Sequence, residues 1–255
     1  MAIPHSNGGQ PTADIDVLLV EDELDLARST EEYLETFGIS VIHRTRAEDA
    51  LTDLTTITPT VILLDVGLPG MSGFALCAQI RKSAPQISII FISARTSEAD
   101  QVFGLDLGAD DYLTKPYSLH LLLAKVRRAL SRARQNTPIP ALATEEQSQH
   151  DAIIDNGYLR HDTLAGRTWI DGHEIHLTAI EHRILDYLAR HSGQVCSKKE
   201  IIMAVWGDSY TSEGTLTVHM RRLRGRIEKD PQNPQCIRTV WGRGYLFAHP
   251  TEEPQ

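Results

Sequence analysis

Four short apolar runs, Val17–Val20, Val61–Leu64, Ile87–Ile92 and the weaker Asp111–Leu113, recur through the first half of the chain. A β-branched piece, Ser40–His43, lies between the first two. The intervening apolar positions take helical spacing over Leu24–Phe37, Phe74–Lys82 and Leu119–Arg132. Strands that are apolar on both faces and alternate with helices predict a doubly wound parallel sheet of five strands, covered on both sides.

From Tyr158 the pattern changes. Alternating segments flank a hairpin signal, Asp171-Gly172, between Thr168–Ile170 and His173–Leu177. Thr178 then caps an amphipathic helix over Ala179–His191 that ends at Gly193, and Ser197 caps a second over Lys198–Val205. A polar turn, Asp208–Ser212, leads into a third helix, about Gly214–Glu228, with Val218, Leu223 and Ile227 on an apolar side. Cys236–Phe247 reads as two strands around Gly242-Arg243-Gly244. This half is an α+β unit of three helices and a terminal hairpin. Between the halves, the segment from Gln135 to His150 has two prolines, small polar residues and little apolar periodicity, the composition of a linker. The expected organisation is therefore an extension over 1–13, domains over 14–134 and 151–250, a linker over 135–150 and a tail over 251–255.

The net charge of −9 argues against a nucleic-acid partner only if it is evenly spread. It is not. Residues 14–134 hold 12 basic and 18 acidic residues, net −6, whereas residues 151–250 hold 13 basic and 12 acidic, net +1. Within the second set Arg221, Arg222, Arg224, Arg226 and Lys229 crowd one helical stretch against a single acid, Glu228. The chain thus pairs an acidic module with one that carries a basic stripe. Arginines on a helix behind a three-helix layout suit the major groove of double-stranded DNA, and Arg243 at a hairpin tip suits the minor groove. A solvated helix face, or a surface that binds protein, is the alternative reading of the same stripe.

In a parallel sheet, ligands bind beyond the carboxyl ends of the strands. Here each strand end carries a polar residue: Glu21-Asp22 after the first, Asp65 after Val61–Leu64, Ser93 after Ile89–Ile92, and Lys115 after the last. Carboxylates gathered at one edge repel each other unless a cation intervenes, and an oxygen-only ligand set is that of Mg²⁺. With Lys115 and Ser93 alongside, the edge suits a phosphoryl group, and Asp65 is the candidate nucleophile for an acyl phosphate. Taken singly, Glu21-Asp22 also fits a helix start, Asp65 a turn, and Lys115-Pro116 a strand terminus. A Mg²⁺-dependent aspartyl-phosphate hydrolase calls for a second acid two residues after the nucleophile, and that position is Gly67.

The strings VLLVEDE, LLDVGLPGMSG, FISAR and GADDYLTKPY, in this order, resemble the receiver domain of bacterial two-component response regulators. The strings LTAIEHRILDYLARHSGQVCSKKEII, VWG, TLTVHMRRLRGRIE and IRTVWGRGYLF resemble the winged helix-turn-helix effector domain of the OmpR/PhoB class. The first resemblance implies a flavodoxin-like receiver in which Glu21, Asp22, Asp65 and the Gly67 carbonyl hold Mg²⁺. It implies that Asp65 accepts phosphate from a sensor histidine kinase, that Lys115 and Ser93 contact it, and that Tyr112 is the switch aromatic. It implies pairing of two receivers across a face with Asp106, Asp110, Asp111, Leu121, Lys125 and Arg128. The second implies a recognition helix carrying Thr215, His219, Arg221, Arg222 and Arg224, a wing around Arg243, direct-repeat half-sites on DNA, and RNA polymerase as a candidate partner.

The chain departs from the pattern at several positions. Gly214 stands where an arginine is common, Thr217 where an aspartate is, and Trp241 where a wing arginine is usual. On the pairing face Gln101 and Leu121 replace a basic residue and a glutamate. No apolar run approaches the ~18 residues of a membrane span. Met1–Ala13 has neither basic residues nor an apolar block, so it does not read as a secretory signal. The widely spaced Cys77, Cys196 and Cys236 suit a reducing cytoplasm.

Overall fold

The computed structural model describes residues 13–135, 153–155, 157–163, 165–208 and 210–248. The chain divides into two compact units, Met1–Ala133 and Arg134–Gln255. The expected linker beyond residue 135, the extension before residue 13 and the tail lie outside the described residues.

The first unit alternates β1 (Ala13–Val20), α1 (Leu24–Glu35), β2 (Val41–Arg44), α2 (Ala47–Asp53), β3 (Ile57–Asp65), α3 (Gly73–Ser83), β4 (Ser88–Ser93), α4 (Glu98–Leu107), β5 (Asp111–Thr114) and α5 (Leu119–Gln135). The sheet is parallel throughout, in the order β2-β1-β3-β4-β5. Its central strands are apolar on both faces because helices cover both: Val17 to Val20 and Val61 to Leu64 are almost wholly buried. Pro59 lies within β3, but there only β1 pairs with it; the β4 ladder begins at Val61.

All five expected strands and all three expected helices are present. Two further helices, α2 and α4, escape the apolar pattern for a simple reason. Each buries little: Ala47 and Ala50 in α2, Gly104 and Leu105 in α4. Neither has the continuous stripe from which periodicity is read.

The second unit begins with an antiparallel sheet of β6 (Ile153–Asp155), β7 (Leu159–Asp162), β8 (Arg167–Ile170) and β9 (His173–Ile175). The β8–β9 turn has Asp171 at φ 47° and Gly172 at φ 78°, the two left-handed residues that an Asp-Gly hairpin turn requires. Helices α6 (Ala179–Arg190), α7 (Lys198–Val205) and α8 (Glu213–Ile227) follow, with a short β10 (Val195–Cys196) between the first two. Thr178 with Glu181, and Ser197 with Glu200, form reciprocal capping boxes on α6 and α7, and Ser212 caps α8. The hairpin of β11 (Ile237–Val240) and β12 (Gly244–Phe247) pairs through β12 with β10. Leu216, Met220, Leu223 and Ile227 of α8 pack into one core with Ile184, Leu188, Ile201, Val205 and Phe247.

Two buried carboxylates organise this unit. Glu228, directly after α8, accepts the backbone N–H groups of Gln235, Cys236 and Ile237 and so anchors the start of β11. Glu181, fully buried, accepts Thr178 N and pairs with Arg222 at 3.2 Å, tying α6 to α8.

Candidate phosphoacceptor and nucleic-acid sites

The carboxyl ends of β1, β3, β4 and β5 bring the expected residues of the first unit together. Oxygens of Glu21, Asp22 and Asp65 lie within 4.8 Å of one another. Glu21 and Asp65 are buried, and Asp22 is exposed. Lys115 Nζ donates to Asp65 Oδ2 at 2.7 Å, to Glu21 Oε1 at 2.8 Å and to Glu23 Oε1 at 3.1 Å. Glu23 was not singled out in the sequence, although an unbroken Glu-Asp-Glu directly after an apolar strand was the signal available. It occupies the N-cap position of α1 but makes no side-chain cap, so the acids here do more than start a helix.

The backbone holds Asp65 in place. Gly67 N donates to Asp65 Oδ1 at 2.9 Å, and Gly73 N donates to Val66 O at 3.2 Å. A Cβ on Gly73 would lie 2.0 Å from the Asp65 carbonyl oxygen, so only glycine lets the start of α3 press against the backbone of Asp65. Ser93 is buried and its Oγ accepts Arg95 N; Tyr112 donates its hydroxyl to Arg95 O at 3.1 Å. Arg95 thus links the hydroxyl and the aromatic through its backbone, a connection that spacing alone does not reveal.

Charge at this edge is finely balanced. Burial pushes the Glu21 carboxyl up to about 7, the Asp65 charge adds to the rise, and the hydrogen bond from Lys115 opposes it. Burial alone would lower Lys115, but its hydrogen bonds to Asp65, Glu21 and Glu23 outweigh it and keep the ammonium charged. One fixed cation thus serves three carboxylates, and the all-oxygen donor set fits a hard divalent cation such as Mg²⁺.

In the second unit three of the four α8 arginines, Arg221, Arg222 and Arg224, point three ways. Arg221 is exposed, as are Thr217 and Gly214 one and two turns before it. Arg222 leans onto α6, where it pairs with Glu181 and keeps only 13% of its side chain exposed. Arg224 donates to Ile237 O and to Thr239 Oγ1 on β11, with its guanidinium over the Tyr245 ring. Thr215 is half-buried beside Ser212, and Arg243 is exposed at the wing tip. The expectation for His219 is corrected: it is wholly buried, its ring 5.4 Å from that of Trp206, and has no surface to offer a ligand.

Residues 17–127 match the family described as response regulator receiver domain, and residues 172–247 match transcriptional regulatory protein, C terminal. The sensory transduction protein RegX3 of Mycobacterium tuberculosis (strain ATCC 25618 / H37Rv) is 38% identical over 230 residues, spanning 90% of this chain and 97% of that protein. The chain belongs to the OmpR/PhoB class of response regulators. The transcriptional regulatory protein YrkP of Bacillus subtilis (strain 168) is 36% identical over 236 residues, covering 91% of this chain and 97% of that one. A solved structure of a mutant of RitR shares the fold at a TM-score of 0.71 and 23% identity, over 91% of this chain and 98% of that one. The protein is therefore a two-component transcription regulator with a receiver and a DNA-binding domain.

Within the response regulator's expected pairing face, Asp110 is corrected. It is buried, accepts Ile89 N at 3.0 Å and lies 3.5 Å from the Arg81 guanidinium, so it braces the sheet from inside. Asp111 and Lys125 are nearly buried and paired with each other. Asp106 is exposed, Arg128 is half-buried, and Leu121 packs partly against the receiver core. No helix among the described residues is long and apolar enough to cross a membrane.

Proposed function

We propose that Asp65 is the phosphoacceptor of this regulator and that its phosphorylation by a sensor histidine kinase sets the DNA-binding output. The observation that carries this reading is the contact of Lys115 Nζ with Asp65 Oδ2 at 2.7 Å, within a cluster of oxygens sized for a divalent cation. An Asp65 carboxylate oxygen attacks phosphorus, the bond from phosphorus to the donor nitrogen breaks, and the departing imidazole keeps that electron pair and takes up a proton. Lys115 and Ser93 meet the phosphoryl oxygens on the protein side. Glu21, Asp22, Asp65 and the Gly67 carbonyl would hold Mg²⁺, which when bound offsets the repulsion between these carboxylates and the incoming group. Self-phosphorylation from a small phosphodonor and self-dephosphorylation are the only chemistry assigned to the chain.

Once Ser93 engages the phosphoryl group, the bridge through Arg95 passes the change to Tyr112. Two receivers then pair over the surface around Asp106, Leu121 and Arg128, with the Asp111–Lys125 pair at its edge. Pairing raises the effective concentration of two effector domains on direct-repeat half-sites of duplex DNA. Arg221 and Thr217 face the major groove and Arg243 the minor groove, while Arg222 and Arg224 hold the helix in place; RNA polymerase is a further partner. Residues 135–150 serve as the linker, and the cytoplasm is the site of action. The test is labelling by a small phosphodonor: the wild-type chain takes up phosphate in the presence of Mg²⁺ and the D65N chain takes up none. Full labelling of D65N removes Asp65 from this role.

A further inference from the structure

The most exposed large apolar side chain among the described residues is Trp241, at 90% of its full surface. It stands at the apex of the β11–β12 hairpin, in a turn closed by Arg243 N donating to Val240 O at 2.9 Å. Gly242 follows at φ 71°, the left-handed conformation that lets so short a turn close. Among the described residues no aromatic ring stacks on the indole and no cation lies over it. The chain's other indoles differ: Trp206 is buried in the core, and Arg160 and Arg167 both lie over the Trp169 ring. An indole held in water at a hairpin tip adds little to the packing of the described residues and leaves an apolar surface open to a partner.

The tip is rigidly mounted. A Cβ on Gly244 would lie 2.0 Å from Cys196 O, so the base of the hairpin is pressed onto β10. Arg224 clamps β11 to α8, and Glu228 holds the start of the same strand. The position of Trp241 relative to Arg221 on α8 is therefore set before any ligand arrives. The charge around it is one-sided: from Cys236 to Ala248 there are two cations, Arg238 and Arg243, and no carboxylate. A narrow, rigid, basic projection with an apolar tip complements the minor groove, whose walls are sugar faces and whose potential is strongly negative.

We infer that Trp241 is a DNA-contacting residue: its indole enters the minor groove as an apolar wedge beside Arg243. Arg243 supplies charge, and Trp241 supplies shape and apolar contact. This inference rests on the DNA-binding reading of the effector domain. Where a regulator uses only arginine at the wing, its minor-groove contact is electrostatic; here part of it is independent of salt.

The test uses the full chain and a duplex recovered with it by selection from a random-sequence pool. W241A is expected to weaken binding by on the order of tenfold with the slope of affinity against salt unchanged, since no charge is removed. R243A is expected to make that slope shallower by about one phosphate contact. W241F retains most of the affinity, and the wild-type indole emission changes on duplex binding by more than that of W241F. Unchanged affinity of W241A overturns the inference and leaves DNA binding intact. A loss accompanied by the shallower slope of R243A also overturns it, because the indole would then only position Arg243. If the wild-type chain selects no duplex, the DNA-binding reading fails together with the inference.

Discussion

Arg224 donates to the carbonyl oxygen of Ile237 through both Nε, at 3.0 Å, and a terminal nitrogen, at 2.7 Å. An α8 residue expected by its charge to contact DNA is thus a strut between that helix and the β11–β12 hairpin. R224A should lower effector-domain stability by ~1–3 kcal/mol, because the carbonyl of the buried Ile237 loses both of its Arg224 donors. R221A, at an exposed position, should change stability by less than ~0.5 kcal/mol while weakening DNA binding. All three tryptophans, Trp169, Trp206 and Trp241, lie in the effector domain, so indole emission during denaturation of the full chain reads this domain directly. Equal stability of the two variants would sink the distinction.

Gly73 and Gly67 should tolerate alanine very differently. A Cβ at Gly73 meets the Asp65 carbonyl oxygen at 2.0 Å, whereas at Gly67 the nearest atom, Asp65 Oδ1, is 3.7 Å away. G73A is expected to slow phosphodonor labelling at least tenfold, about 1.4 kcal/mol or more of displaced geometry, and to lower the receiver's thermal midpoint. G67A should label nearly normally. Comparable labelling of the two proteins would contradict the close-packing argument.

Mg²⁺ should stabilise the receiver most where Glu21 is ionised. Burial holds Glu21 up to about 7, so its folded-state pKa lies above the ordinary carboxylate value. The associated stability is complete below about 4.5 and is lost as pH rises through 7. At pH 8 added Mg²⁺ should raise the receiver's melting temperature, and at pH 5 it should raise it less. Calorimetry of wild type and E21Q checks this; an equal gain at both pH values in wild type would remove Glu21 from the cation site.

His161 gives the effector domain the opposite pH response. It is buried, bonded through Nδ1 to Thr168 Oγ1 at 2.9 Å, and its ring lies 5.5 Å from that of His182. Burial, with the neighbouring His182 adding to it, lowers His161 to about 4. Its folded pKa lies below its unfolded value, so stability is full above about 6.5 and falls as pH drops toward 4. The loss from this one group is on the order of 3 kcal/mol. His182 is shifted the same way, mainly by burial, and reinforces the trend. H161F should flatten the pH dependence of indole-monitored unfolding between pH 6.5 and 4; an unchanged profile would exclude His161 as its source.

The strand-end acids and Lys115 were legible in the amino-acid sequence because each follows directly on an apolar run. The parallel topology then carries such residues to one edge whatever the details of packing. The winged-helix layout was legible for a similar reason: Thr178, Ser197, Asp171 and Gly172 are local punctuation acting within a few residues. By itself, then, the sequence determined the order of elements, the two domains and the acidic edge.

Only the tertiary structure decided which way each side chain of α8 turns. Rotation of that helix is set by Glu181 on α6 and Ile237 on β11, both distant in sequence, and no periodicity within the helix contains them. His219 therefore went into the core beside Trp206, and Arg222 and Arg224 became struts. Asp110, one of five charges on an expected surface, turned inward because Ile89 N needed an acceptor there. Burial and partner choice are properties of the packed whole: an ionisable side chain is drawn inward wherever an unpaired backbone group or an opposite charge would otherwise be left dry.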